Sequence, residues 1–235
     1  MVWQREKEHI TAQSVKSMIR ESKVNGMQKD NPFDREVEEY EEWFKTNDKL
    51  LASELAAIKE IIPTSGKGIE IGVGTGIFAS RLNIRDGLEP SEKMVAEAMK
   101  KGINVFHGVA ENIPVDEGSY QFALMVTVDC FLDNVFKTFS EVYRILVNDG
   151  VFIIAFLDKA TSLGQLYEKN KHLHRSYQHA NFHTSAEIVS ILITAGFEII
   201  DKKQTIYSLE NTLQETKSGV GEGVFAVIKA RKINL

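Results

Sequence analysis

Between Asp34 and Ile62 the apolar residues Val37, Tyr40, Phe44, Leu51, Leu55, Ile58 and Ile62 recur near helical spacing and stop at Pro63. This predicts one helix or a broken pair. Beyond Pro63 the pattern changes to short apolar runs separated by helical stripes. Strands are expected over Gly68 to Ile71, Arg85 to Leu88, Ile103 to Phe106 and Tyr120 to Thr127, with a short helix from Thr75 and another from Ser91. A helix burying Val135, Phe139, Val142 and Leu146 then leads into the apolar run Val151 to Phe156. Near-continuous apolar strands alternating with helices imply a parallel sheet covered on both faces. Thr184 and Glu187 have the spacing of a capping box for a helix through Ile188, Ile191 and Leu192 that ends at Gly196. Ile199 to Ser208 and Val224 to Ala230 read as two further strands joined by a loop, pairing as an antiparallel edge. The expected fold is a doubly wound α/β sheet of seven strands, mostly parallel, with an antiparallel last strand.

Residues 1–30 are polar and carry only a weak stripe through Val15, Met18 and Ile19, so they are expected to be an appendage. Their glutamates argue against an import presequence, and Met27 is a candidate translation start. Residues 31–235 are expected to form a single domain, with a helical cap (31–66), a cofactor-binding core (67–158), a lid (159–183) and a C-terminal helix and strand pair (184–235). At 235 residues and 43% hydrophobic the chain has enough apolar surface for one such domain, and a second would be cramped. A net charge of -5 gives no general affinity for nucleic acid or an anionic membrane. No apolar run approaches the ~20 residues of a membrane span and the N-terminus lacks a signal-peptide core, so the expected location is the cytoplasm. The single cysteine, Cys130, leaves no internal disulfide or CxxC site and is expected to be a small buried hydrophobe.

The chemistry starts in Gly68-Ile-Glu-Ile-Gly-Val-Gly-Thr-Gly76, an apolar strand running into glycines at alternate positions. Gly72, Gly74 and Gly76 let the backbone take left-handed angles and let a ligand approach closely. The amides that follow suit a nucleotide-like ligand. Spacing separates the candidates. A dinucleotide fingerprint G-x-G-x-x-G needs glycine where Ile77 stands, so a nicotinamide cofactor is disfavoured. Ser65-Gly-Lys67 precedes the strand instead of following it and lacks the first glycine of a P-loop, with Ile61 in its place. Glu89, ending the next strand, is placed to accept both hydroxyls of a ribose.

Together these residues resemble the class I S-adenosylmethionine-dependent methyltransferases, in particular the small-molecule branch called type 11 or UbiE-like, over roughly Phe33 to Lys232. That family has a Rossmann-like sheet with helices on both faces and an N-terminal helical cap. Glu70-Ile-Gly-Val-Gly-Thr-Gly76 is similar to its first motif, which implies Glu70, Gly72, Val73, Gly74 and Gly76 as cofactor-binding residues. Gly87-Leu-Glu-Pro-Ser-Glu-Lys-Met94 resembles the ribose-binding strand and implies Glu89, Pro90, Ser91 and Met94. His107-Gly-Val-Ala-Glu-Asn-Ile-Pro114 is similar to the adenine segment and implies Gly108, Val109, Ala110 and Glu111, with Thr127 at the end of the fourth strand. Glu141 to Gly150 and Ala195 to Glu198 resemble the turns before the last strands, so the blocks stand in family order.

The chain departs from the family where aspartates become Glu70, Val109 and Gln121. Val109 removes a side-chain acceptor for the adenine amino group, a role left to the backbone of Val109 and Ala110 or to Glu111. The resemblance implies S-adenosylmethionine as cofactor, S-adenosylhomocysteine as product and a small-molecule methyl acceptor.

For the reaction, Asp129 beyond the fourth strand is the candidate proton acceptor and Tyr40 a candidate to close over the sulfonium. Trp43 is expected to pack in the core. His172, His174, His179 and His183 lack a zinc-site spacing and are assigned, with Tyr167 and Tyr177, to the lid. Ser218-Gly-Val-Gly-Glu-Gly223 reads as a turn between strands. Two other readings compete with catalysis: a cofactor-binding regulator without activity, and the disfavoured nicotinamide-dependent oxidoreductase.

Overall fold

The computed structural model describes residues 37–173 and 177–233. The appendage expected at 1–30, the start at Met27 and His174 lie outside the described residues. Helix α1 (Val37–Thr46) and helix α2 (Asp48–Lys59) are separated at Asn47, so the long helical stripe is a broken pair. Strand β1 (Gly68–Ile71), helix α3 (Ile77–Arg81), strand β2 (Asp86–Glu89), helix α4 (Glu92–Lys100) and strand β3 (Asn104–His107) follow. Next come β4 (Tyr120–Val126), a 3₁₀ turn over Asp129–Phe131, α5 (Val135–Ile145), β5 (Leu146–Leu157), α6 (Ser162–Asn170) and a 3₁₀ turn over Lys171–Leu173. The chain closes with α7 (Ser185–Thr194), β6 (Phe197–Thr205), β7 (Lys217–Ser218) and β8 (Phe225–Lys232).

The strands form one sheet in the order β3-β2-β1-β4-β5-β8-β6-β7. The pairs from β3 to β5 are parallel, and β8 runs antiparallel to both β5 and β6. This is the doubly wound sheet that the sequence pattern implies, with one added element. The two-residue strand β7 pairs with β6 and was not foreseen. The pair β6 and β8 is antiparallel as expected, but β8 is interior, because Phe225, Ala226, Val227 and Ile228 are wholly buried and need cover on both faces.

Alternation along the strands sorts the core into two layers. Leu124, Ile153 and Val227 face the layer that holds Leu51, Ile58, Ile77 and Ala98 from α2, α3 and α4. Met125, Ile154 and Ile228 face Phe139, Val142, Ile188 and Leu192 from α5 and α7. The expected capping box is present, with the Glu187 amide donating to Thr184 Oγ1 at 3.2 Å and the Thr184 amide donating to Glu187 Oε2 at 2.7 Å. Cys130 is buried. Among the described residues no helix is long and apolar enough to cross a membrane.

Candidate functional site

Strand order reverses between β1 and β4, where ligands of open α/β sheets bind beyond the carboxyl ends of the strands. A cavity of about 770 Å³ opens there. Its floor is the glycine loop, and Gly72, Gly74 and Gly76 take φ values of 72°, 53° and 80°. A Cβ on Gly72 would come within 2.4 Å of Val128 Cγ2, so only glycine fits. The loop is held from the next strand, since the Gly72 and Val73 amides donate to Leu88 O at 2.8 and 2.9 Å.

Glu89 is buried and links the loop to α4. Its Oε2 accepts the Gly74 amide at 3.0 Å and its Oε1 the Ser91 amide at 2.9 Å. Ser91 Oγ in turn caps α4 by accepting the Met94 amide at 3.2 Å. Glu89, Pro90 and Met94 line the cavity beside Gly72 and Gly74. Val73, Gly76 and Ser91 stand behind it and support the loop. Glu70 is also behind: it is buried with Oε2 unpartnered, and burial raises its pKa well above the usual carboxylate range.

On the β3 side Gly108, Val109, Ala110 and Glu111 line the cavity. Val109 is 50% exposed. Glu111 Oε1 accepts the Asp133 and Asn134 amides at 3.1 and 3.3 Å, so that oxygen already ties the 108–112 segment to the turn after β4. The segment is braced from below by α5. Arg144 donates to Ile113 O and Val115 O at 2.8 and 2.7 Å, and Glu141 Oε2 accepts the Ile113 amide at 3.0 Å.

Thr127 lines the cavity at the end of β4 with φ 53°, an angle that a β-branched residue rarely adopts. Such strain persists where the surroundings over-determine it. Asp129, two residues on, is not among the cavity-lining residues. Its Oδ2 lies 2.9 Å from His183 Nδ1, and both side chains are buried. Burial raises the Asp129 pKa, with His183 opposing the rise. The carboxylate expected at the acceptor is thus committed to a histidine expected in the lid.

The remaining wall comes from α1, α2, α6 and the turn after α6. Tyr40 packs edge-to-face on Phe44 with centroids 5.0 Å apart, and burial pushes its phenol far above the usual range. Its hydroxyl oxygen would be 3.5 Å from a Cβ on Gly74, which places this ring against the glycine loop. Trp43, expected in the core, is instead 43% exposed and lines the cavity, touching Phe44 edge-on. Tyr167, Leu173 and Tyr177 line it from the expected lid segment.

One residue missed in the sequence is Glu54 of α2, which lines the cavity and is 9% exposed. Among the described residues it has no hydrogen bond or ion pair, and burial alone pushes its pKa up to about 8. Its sequence signal was present: Glu54 follows Leu51 by three residues and precedes Ile58 by four, which puts it on the buried face of α2.

The sequence profile of the family described as "Methyltransferase domain" matches residues 41–202. An uncharacterised protein of Methanocaldococcus jannaschii is 39% identical over 205 residues, 86% of this chain and 100% of that one. An uncharacterised protein of Mycobacterium tuberculosis is 32% identical over 74% of this chain, which spans 62% of that protein. Among solved structures, a Thermotoga maritima protein described as a SAM-dependent methyltransferase, possible histamine N-methyltransferase, is 42% identical. It superposes with a TM-score of 0.83 over 86% of this chain and 98% of that one.

Proposed function

The chain belongs to the S-adenosylmethionine-dependent methyltransferases, which use that cofactor and release S-adenosylhomocysteine, and we propose that its methyl acceptor is a small molecule bound in the same cavity as the cofactor. The carrying observation is that one cavity runs from the glycine loop to an aromatic wall of Tyr40, Trp43, Phe44, Tyr167 and Tyr177. When bound, the cofactor supplies an electrophilic methyl group on a sulfonium.

The cofactor fits the residues present. Gly72 and Gly74 leave the backbone bare to the methionine portion, and Glu89 offers carboxylate oxygens for ribose hydroxyls beside them. Backbone groups of Val109 and Ala110, which line the cavity, would hold the adenine end in place of the carboxylate that Val109 lacks. Tyr40 brings its hydroxyl end to the loop at Gly74, where it would lie beside the bound cofactor. The chain's contribution to the reaction is chiefly positioning, an effect worth about 7–11 kcal/mol when reacting atoms are held in line.

Residues 159–183 serve as the lid in this reading, supported by Tyr167, Leu173 and Tyr177 in the cavity wall. Asp129 and His183 hold the turn after β4 against the start of α7.

The test is thermal shift with S-adenosylhomocysteine, S-adenosylmethionine and NADPH in parallel, followed by an assay of S-adenosylhomocysteine release over a metabolite panel. A ligand that binds only the folded form raises its stability. Stabilisation by both sulfur nucleosides and turnover on small molecules is the expected result. Turnover only on a macromolecule overturns the proposal.

A further inference from the structure

Among the described residues the charge lining the cavity is one-sided. Glu39, Glu54, Glu89, Glu111 and Asp133 line it, and among the described residues no lysine, arginine or histidine does. Glu89 and Glu111 are engaged by backbone amides. Glu54 is different in kind, being buried, without a partner among the described residues, and lining the same cavity as the aromatic wall. Its charge is felt by Tyr40, Tyr167 and Tyr177, which come from α1, α6 and the turn beyond α6.

A buried carboxyl group with no partner among the described residues keeps its proton in the ligand-free protein, because ionising it there costs stability. A cationic ligand beside it makes the ionised form the stable one. The aromatic rings that line the same cavity favour the same ligand, because ring faces attract cations and bury apolar carbon.

We propose that Glu54 is the acceptor-recognition residue and that the acceptor is a small amine, bound through its protonated nitrogen. The proposal rests on the methyltransferase reading above. Before attack the nitrogen must have a free electron pair, and the carboxylate beside it takes the proton: R–NH₃⁺ becomes R–NH₂ and Glu54 becomes the neutral acid. The nitrogen then forms its bond to the methyl carbon as the carbon–sulfur bond breaks, with that pair remaining on sulfur. The product leaves as the methylated ammonium ion, and Glu54 returns its proton to water. A buried carboxyl group whose pKa is raised towards neutrality is suited to receiving and returning a proton.

The experiment uses the full chain and a matched panel in which phenylethyl, imidazolylethyl and butyl bodies each carry an amine, an alcohol or a carboxylate. Methyl transfer is followed with labelled S-adenosylmethionine, and binding by titrating each compound into protein loaded with S-adenosylhomocysteine. Transfer and binding confined to amines are expected. In Glu54→Gln the amine kcat/KM and affinity fall at least tenfold, Glu54→Asp recovers part of the loss, and S-adenosylhomocysteine affinity stays within twofold. Both variants are checked by thermal unfolding, and the Gln variant is expected to be no less stable than the parent.

Transfer to alcohols or acids at comparable rates, no transfer to any panel amine, or unchanged amine kinetics in Glu54→Gln each overturns the proposal. Failure of the parent protein to bind S-adenosylhomocysteine at all strikes the methyltransferase reading instead.

Discussion

The Asp129 carboxylate lies 2.9 Å from His183 Nδ1, joining the turn after β4 to the residue that precedes the capping box of α7. Both side chains are buried, so removing one leaves the other without its partner. Asp129→Asn is expected to lower unfolding free energy by about 1–3 kcal/mol in urea denaturation. S-adenosylhomocysteine affinity is expected to stay within twofold, since neither residue lines the cavity. A tenfold loss of cofactor affinity with unchanged stability would show that Asp129 reaches the ligand.

Gly72→Ala tests the loop. The new Cβ would lie 2.4 Å from Val128 Cγ2 at a backbone φ of 72°, so either the loop or β4's end must move. Cofactor binding is expected to weaken more than tenfold, measured by calorimetric titration. Gly118→Ala is the control. Its φ of 63° carries similar backbone strain, but nothing lies within 4 Å of the added carbon. It is expected to cost stability without changing cofactor affinity.

Glu89 holds the Gly74 amide as well as facing the cavity. Glu89→Ala therefore removes a ribose acceptor and loosens the loop together. The expected cost in S-adenosylhomocysteine binding is about 1.5–3 kcal/mol, the range for a hydrogen bond to a charged group. Unchanged affinity would show that Glu89 neither meets the ribose nor shapes the loop for binding.

The α1–α2 break is capped from far away in sequence. Asn211 Oδ1 accepts the Lys49 amide at 2.9 Å and its Nδ2 donates to Thr46 O at 2.9 Å, while Asn47, the local cap, makes no side-chain cap bond. Asn211→Ala is expected to cost about 0.5–2 kcal/mol of stability, as a lost N-cap does. Because α2 carries Glu54, it is also expected to raise the acceptor KM while leaving cofactor affinity unchanged. A stability loss with no change in KM would separate the cap from the acceptor site.

That cap illustrates what the sequence could carry. The glycine loop, Glu89 and the Thr184 capping box are local signals, in which the residues that create the geometry stand within a few positions of one another. They were legible for that reason. Asn211 meets Lys49 across 162 residues, and Asp129 meets His183 across 54; neither pairing follows from spacing. Trp43 was assigned to the core because its helical position suits core and cavity wall alike. The position of β8 between β5 and β6 is also nonlocal, although its fully apolar run hinted that both of its faces are covered. Glu54 was legible in principle, as a charge on the buried stripe of α2. It went unread because amphipathic helices tolerate a carboxylate near the stripe edge, and only the folded cavity shows that none of the described residues neutralises it.

The last prediction follows from that missing partner. Burial pushes the Glu54 pKa up to about 8 from an ordinary value of 4.5. Between those pH values the folded protein keeps a proton that the unfolded chain has released. The stability linked to this group is therefore fully present below pH 4.5 and is lost as pH rises through about 8. Each pKa unit corresponds to about 1.4 kcal/mol, which makes the loss several kcal/mol in scale. Tyr40, Tyr167 and Tyr177 around it are all raised above the phenol range and contribute no slope in this window. Subtracting urea-denaturation free energies of the parent from those of Glu54→Gln, at steps from pH 4.5 to 8.5, isolates Glu54 from every other carboxylate. The difference is expected to grow in favour of the Gln variant as pH rises and to level off above pH 8. A difference that does not change with pH would mean that the carboxylate is solvated or paired in the free protein. Adding phenylethylamine to the S-adenosylhomocysteine complex should flatten the slope, because a cation beside the carboxylate lowers its pKa and supplies the charge that the fold withholds.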